Sequence, residues 1–226
     1  MSSVRTLDRT IRERHLLNHP FYVAWGRGEV PLATLRDYAA QYYQFESNFP
    51  RYVAGAYARL RDSVGRRTLL DNLVDEEGRS PTHPELWLQF ARALGASPRA
   101  VRNASAAPAT SRLLDTYETF ALNGSAAAGL GALYAYESIF PEVAAEKSRG
   151  LRAHYGIRER AAHEFFRVHT FADKAHAAAE RRLLAREIAQ SPVSASEATR
   201  AVDATVDAWW GFLDAFQVTM APTAGA

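Results

Sequence analysis

His169, Asp173 and His176 stand at i, i+4 and i+7 within the segment 165–180. On a helix this spacing sets all three side chains on one stripe within two turns. Taken alone, the triplet reads equally as half of a metal site and as a polar surface strip. Glu76 and His83 flank the tract Gly78, Arg79, Ser80, Pro81. Continuous helix would hold them about 10.5 Å apart, too far for two ligands of one ion. Pro81 and Pro84 argue for a break, with His83 in the first turn of the next helix, so that the two side chains can converge. Without convergence they are solvent-facing residues beside a kink. Glu137 lies in the otherwise apolar run 130–140. A carboxylate is costly to bury there unless it is paired or bound to a cation, and an arginine from a neighbouring helix would serve as well as a metal.

Together these three imidazoles and three carboxylates match the donor inventory of a carboxylate-bridged dinuclear centre in a helical bundle. Two divalent ions bring four positive charges. Three carboxylates offset most of that, and water or dioxygen can complete the shell. Hard oxygen donors mixed with imidazole suit iron or manganese. The expected cofactor is two Fe ions, or Mn with Fe, because open positions on Fe(II) bind and reduce dioxygen; an external reductant is then required. The chain has no cysteine, which removes disulfides, thiolate zinc sites, iron–sulfur clusters and cysteine nucleophiles together.

Ligands from separate segments need several helices to bring them together, and helical periodicity dominates this chain. We expect an all-α fold of seven or eight helices. Prolines 20, 31, 50, 81, 84, 98 and 108 and glycines 26, 28, 78 and 95 mark the expected helix ends. For the last helix, Ser194 and Glu197 read as a capping box, and Val202, Val206, Trp209, Leu213, Phe216 and Met220 as its buried face. Small residues from Asn123 to Leu133 allow close helix packing. One domain is expected over residues 1–220, with a flexible tail over 221–226.

The 226 residues are 47% hydrophobic and 23% charged, an ordinary globular balance. The formal net charge is +2, and the basic residues are interleaved with acids rather than gathered in a stripe, which argues against nucleic acid as a partner. The polar N-terminal segment 1–14 and the lack of any run of about 18 apolar residues point to a cytoplasmic protein without membrane contact. A homodimer is expected.

The ligand spacing resembles that of the heme-oxygenase-like diiron oxidases, and within them the group typified by the chlamydial protein associating with death domains. The pattern of Glu, six residues, His, a distant Glu, then His with Asp four on and His three beyond falls on Glu76, His83, Glu137, His169, Asp173 and His176. The segments HPFYVAW, RDYAAQYY, ESIFPEVAAEK and HTFADKAH carry the likeness from about His19 to about Glu180. The resemblance implies a heme-oxygenase-like bundle, shared with thiaminase-like and PQQ-synthase-like proteins. The former depend on a cysteine absent here. The latter act without a metal, which would leave the ligand set unexplained.

The resemblance also implies synthesis of para-aminobenzoate from a tyrosine of the protein itself, with a lysine as amino donor. Tyr22 matches the sacrificed tyrosine and Lys147 the lysine; Tyr38 and Tyr136 match tyrosines near the diiron centre. Phe165 stands where the chlamydial protein has tyrosine. The chemistry is consistent: tyrosine has carbon at Cβ and oxygen opposite, and cutting Cα from Cβ, oxidising Cβ to carboxylate and replacing oxygen by an amine gives the product. Without the resemblance, Tyr22 is a core aromatic and Lys147 a solvated cation at a helix end. The alternative is a diiron oxygenase acting on an external amino acid or fatty acid by C–C cleavage or N-oxygenation. A partner-binding protein without catalysis is a third possibility, for which no docking surface is recognisable.

Overall fold

Proline starts most of the helices rather than separating them. Its missing N–H costs nothing in the first turn, and its fixed φ is already helical. Pro20, Pro50, Pro84, Pro98, Pro108, Pro141 and Pro192 all lie in a first turn. In the computed structural model, which describes residues 3–216, the α-helices are α1 (Val4–Glu13), α2 (Pro20–Arg27), α3 (Leu32–Glu46), α4 (Phe49–Arg59), α5 (Ser63–Glu77), α6 (His83–Ala93), α7 (Pro98–Arg102), α8 (Pro108–Tyr117), α9 (Ala126–Glu137), α10 (Phe140–His154), α11 (Arg160–Gln190) and α12 (Pro192–Asp214). A π turn, Glu118–Leu122, follows α8. The all-α expectation holds, with more segments than the seven or eight expected because short pieces such as α7 stand between prolines and turns. The tail 221–226 and Met220 lie outside the described residues. Among those residues, no helix is long and apolar enough to cross a membrane.

The 31-residue α11 is the spine of the bundle. It packs against α10, α6, α9, α12 and α5, while α3 lies against α6 and α8. The core between them is aromatic. Tyr42 stacks on Trp87 at 4.0 Å, and Tyr136 on Trp209 at 4.7 Å.

The start of α12 differs from the expected capping box. Ser191 is the cap, its Oγ accepting the Ser194 N–H at 3.0 Å, so Ser194 is already inside the helix. Glu197 instead accepts a hydrogen bond from Ser125 Oγ, the cap of α9, at 2.7 Å. The buried face runs as expected through Val202, Val206, Trp209, Leu213 and Phe216.

The small residues of α9 work as close-packing contacts: a Cβ at Gly131 would lie 3.0 Å from the Ala198 carbonyl oxygen on α12. A tighter contact joins α4 to the π turn. A Cβ at Gly55 would fall 2.5 Å from the Ala121 carbonyl oxygen and 2.9 Å from Leu122 Cα, both backbone atoms. Gly55→Ala is therefore expected to destabilise by about 1–3 kcal/mol through overpacking. Gly211, in α12, has no atom within 4 Å of such a Cβ, and Gly211→Ala is expected to stabilise by about 0.4–1 kcal/mol. Urea unfolding midpoints check both; equal midpoints for the two variants would refute the close contact at Gly55.

Candidate metal centre

The stripe on α11 turns inward. His169 is 4% and Asp173 1% exposed, with His176 at the rim. His169 Nδ1–H donates to the Phe165 carbonyl oxygen at 2.8 Å. That contact fixes the tautomer and leaves Nε2 for the interior, the arrangement usual for metal-bound imidazole. Phe165 packs on the His169 ring at 4.1 Å, so the position that lacks a phenol is filled by apolar packing. His176 Nε2 lies 3.2 Å from Asp75 Oδ2, and its Nδ1 lies 3.5 Å from Glu137 Oε1 and 3.9 Å from Asp173 Oδ1.

The break between Glu76 and His83 forms as expected. Helix α5 ends at Glu77, and Thr82 opens α6 with a capping box, Thr82 N–H donating to Glu85 Oε2 at 2.8 Å. This turn brings His83 Nδ1 within 2.8 Å of Glu76 Oε2. The imidazoles of His83 and His169 then face each other at 4.3 Å. Glu137, the last residue of α9, meets no arginine. Asn72 Nδ2 donates to both its oxygens, at 3.1 and 3.3 Å. The residues picked out in the sequence thus gather in the interior, Asp173 through the 3.9 Å approach of its Oδ1 to His176 Nδ1.

Two carboxylates escaped the spacing argument. Glu46 ends the buried stripe of α3, and Glu180 extends that of α11, four residues beyond His176. The signals were present in the sequence, a carboxylate in register with Tyr38 and Tyr42 and a fourth polar residue in register with His176. Glu46, Glu76, Glu137, Asp173 and Glu180 are each only 1–2% exposed. Glu46 Oε1, Glu76 Oε1, both oxygens of Asp173 and both of Glu180 lack hydrogen-bond donors. Burial, reinforced by neighbouring carboxylates, pushes Asp173 and Glu180 well above the usual carboxylate range. Burial also opposes ionisation of Glu137, but Glu180, His176 and Asn72 against it hold its carboxyl below the ordinary value. His176 is pushed up to about 9, because Glu137 outweighs the effect of burial.

Beside the cluster lies an aromatic chamber. Lys147 on α10 is 1% exposed, so it is no solvated helix-end cation. Its Nζ has no hydrogen-bond partner and lies 4.6 Å from the Tyr42 ring centroid, 5.0 Å from Phe140, 5.1 Å from Tyr22 and 5.2 Å from Tyr38. Burial drives the amine well below its usual pKa, with Glu46 only partly opposing. Tyr22 OH and Tyr38 OH share a hydrogen bond of 2.8 Å, and Tyr42 OH is bonded to Tyr136 OH. Burial raises the pKa of all four phenols, which keeps them protonated at neutral pH.

Comparison with known proteins agrees with the resemblance read from the sequence. A 4-aminobenzoate synthase of Chlamydia trachomatis is 36% identical over 216 residues, covering 96% of this chain and 92% of its own. One from Nitrosomonas europaea is 38% identical over 217 residues, covering 92% and 88%. A TenA homologue from Pseudomonas syringae superposes with a TM-score of 0.79 at 20% identity, over 93% of this chain and 89% of its own, which shows the shared fold. The model of the iron-containing redox enzymes matches residues 36–210. With that match across most of the bundle and a buried imidazole and carboxylate cluster at its centre, the chain belongs to the family of iron-containing redox enzymes.

Proposed function

We propose that this enzyme is a 4-aminobenzoate synthase that consumes its own Tyr22, takes nitrogen from Lys147, and works at a dinuclear metal centre held by Glu76, His83, Glu137, His169, Asp173 and His176. The observation that carries the reading is the meeting of Tyr22 and Lys147. They lie on α2 and α10, and the Lys147 nitrogen sits 5.1 Å from the centre of the Tyr22 ring in a chamber closed to water. The synthases that the chain resembles over nearly their whole length support it.

The residues fit a pair of metal ions. Buried carboxylate oxygens without donors call for cations, and the only Lys or Arg buried among the described residues, Lys147, makes no hydrogen bond to any of them. Oxygen donors mixed with imidazole suit Fe or Mn. Bound there, the two ions would supply the site at which dioxygen is reduced, with an external reductant, and hence the oxidising power for the reaction.

The chain's own residues set up the rest. Tyr38 fixes the phenol of Tyr22 through the 2.8 Å hydrogen bond between their hydroxyls. Burial lowers the pKa of Lys147 and so favours the neutral amine, whose nitrogen lone pair a protonated ammonium would lack. Tyr42 and Tyr136 are hydrogen-bonded hydroxyl to hydroxyl beside the chamber. The Cα–Cβ bond of Tyr22 breaks, leaving position 22 glycine-like, and Cβ is oxidised by dioxygen to the product carboxylate; the Lys147 nitrogen replaces the phenol oxygen, which leaves as water, and its own Cε–N bond is cleaved with Cε oxidised to an aldehyde.

Two measurements test this. Metal-loaded protein is expected to hold about two Fe or Mn ions per chain by elemental analysis, and His169→Ala or Glu137→Ala to lose most of them; wild-type protein without bound transition metal would sink the metal assignment. Reduced, iron-loaded protein exposed to dioxygen is expected to give 4-aminobenzoate that plateaus near one per chain, with the tyrosine side-chain mass lost from the peptide containing residue 22. Tyr22→Phe should abolish product with metal content unchanged, and Lys147→Ala should reduce or abolish it, with partial rescue by added amine. Many turnovers with Tyr22 intact would hand the case to an oxygenase with an external substrate.

A further inference from the structure

Glu46 falls outside the six-residue set. It lies on the inward stripe of α3, one turn beyond Tyr42 and two beyond Tyr38, and is 2% exposed. Its Oε1 has no hydrogen-bond partner. One donor atom from each of Glu46, Glu76, His83 and His169 lies within 4.8 Å of every other. Glu76, Glu137 and His176 make a second group with the same property, and Glu76 belongs to both. We propose that Glu46 is a seventh metal ligand, completing with Glu76, His83 and His169 a four-donor set that would hold one ion, while Glu76 also belongs to the set with Glu137 and His176 that would hold the second. This assignment rests on the dinuclear reading above and extends it.

Three arguments support the assignment. Without Glu46, the first group offers one carboxylate and two imidazoles, and the carboxylate is shared with the other ion. With it, the charges balance: Glu46, Glu76, Glu137 and Asp173 supply four negative charges against the four positive charges of two divalent ions. Glu180 lies outside both donor groups. Finally, a buried carboxylate with an unpartnered oxygen is retained at a cost unless a cation satisfies it. The arrangement also has a structural effect. The face of α3 that lines the chamber with Tyr38 and Tyr42 is the face that holds the ion, so metal loading fixes these phenols in register with the centre.

The test is a titration of metal-free, full-length protein with Mn(II), followed by electron paramagnetic resonance of free Mn(II) and by equilibrium dialysis. Wild-type protein is expected to bind about two ions. Glu46→Gln keeps the side chain's size and removes its charge. It should retain one ion at wild-type affinity and bind the other at least about tenfold more weakly. Glu46→Ala, which removes the buried carboxylate altogether, should do the same and keeps the test open where Glu46→Gln fails to fold; thermal melts of the metal-free variants report folding. Two ions bound at wild-type affinity in both variants would overturn the assignment. So would equal weakening of both ions, which marks a general loss of packing. Failure of wild-type protein to bind two ions instead overturns the dinuclear reading itself, and is seen in the wild-type arm alone.

Discussion

Five carboxylates held out of water around one point are the constraint on which the rest of this fold depends. Each was removed from a solvent that stabilises its charge, and each raises the cost of ionising the others. Hydrophobic burial can hold such a cluster together only if the surrounding packing is tight and the charges are met. The packing is tight: Phe140 and Phe165 press on His169, and Trp87 presses on Phe165. The charges are met only in part by protein groups, through Asn72 on Glu137 and His83 on Glu76. On the proposed reading metal ions supply the remainder, so metal binding contributes directly to the free energy of folding.

The chamber beside the cluster obeys the opposite rule. There, on the proposed route, burial that is only partly compensated is what the chemistry would use. A lysine that found a close carboxylate would keep its proton and lose its lone pair. Lys147 is instead ringed by π faces, which attract an ammonium far more weakly than a paired carboxylate does. The two regions are joined by short helical distances, Glu46 to Tyr42 along α3 and Glu137 to Tyr136 along α9. Acidic and aromatic side chains share buried faces of the same helices, Tyr38, Tyr42 and Glu46 on α3 and Phe165 and Asp173 on α11, so one set of helices builds both environments.

How much of this was legible in the sequence depends on how each residue announces itself. His169, Asp173 and His176 repeat with helical spacing, and Glu76 and His83 straddle prolines that force a break; both signals are local, and both side-chain meetings form. Glu137 stood out because its neighbours are apolar. Glu46 and Glu180 did not, since each is one acid at the end of a pattern whose other members were read as complete. Their meaning comes from neighbours on other helices. The helices outnumber the seven or eight expected because short pieces such as α7 stand as helices of their own, each begun by a proline more often than separated by one. At Ser194 a local rule matched a plausible cap, while the chain entered the helix one turn earlier because Ser191 and Pro192 together made a better start.

The position of Tyr22 reaches beyond chemistry. Its ring packs against Phe21, Trp25 and Tyr38 at 5.5, 6.2 and 6.3 Å between centres, in the first turn of an eight-residue helix. Excising it on the proposed route would empty a core site, at a cost of about 3–5 kcal/mol for loss of a large aromatic, and would leave a glycine in the first turn of the helix, which adds at most about 1 kcal/mol. Those losses are comparable with the whole stability of a typical domain. A spent chain would therefore open more often than a fresh one and become a preferred target for cellular proteases. The reaction would in this way mark its own used protein for removal, tying the supply of product to the rate of protein synthesis.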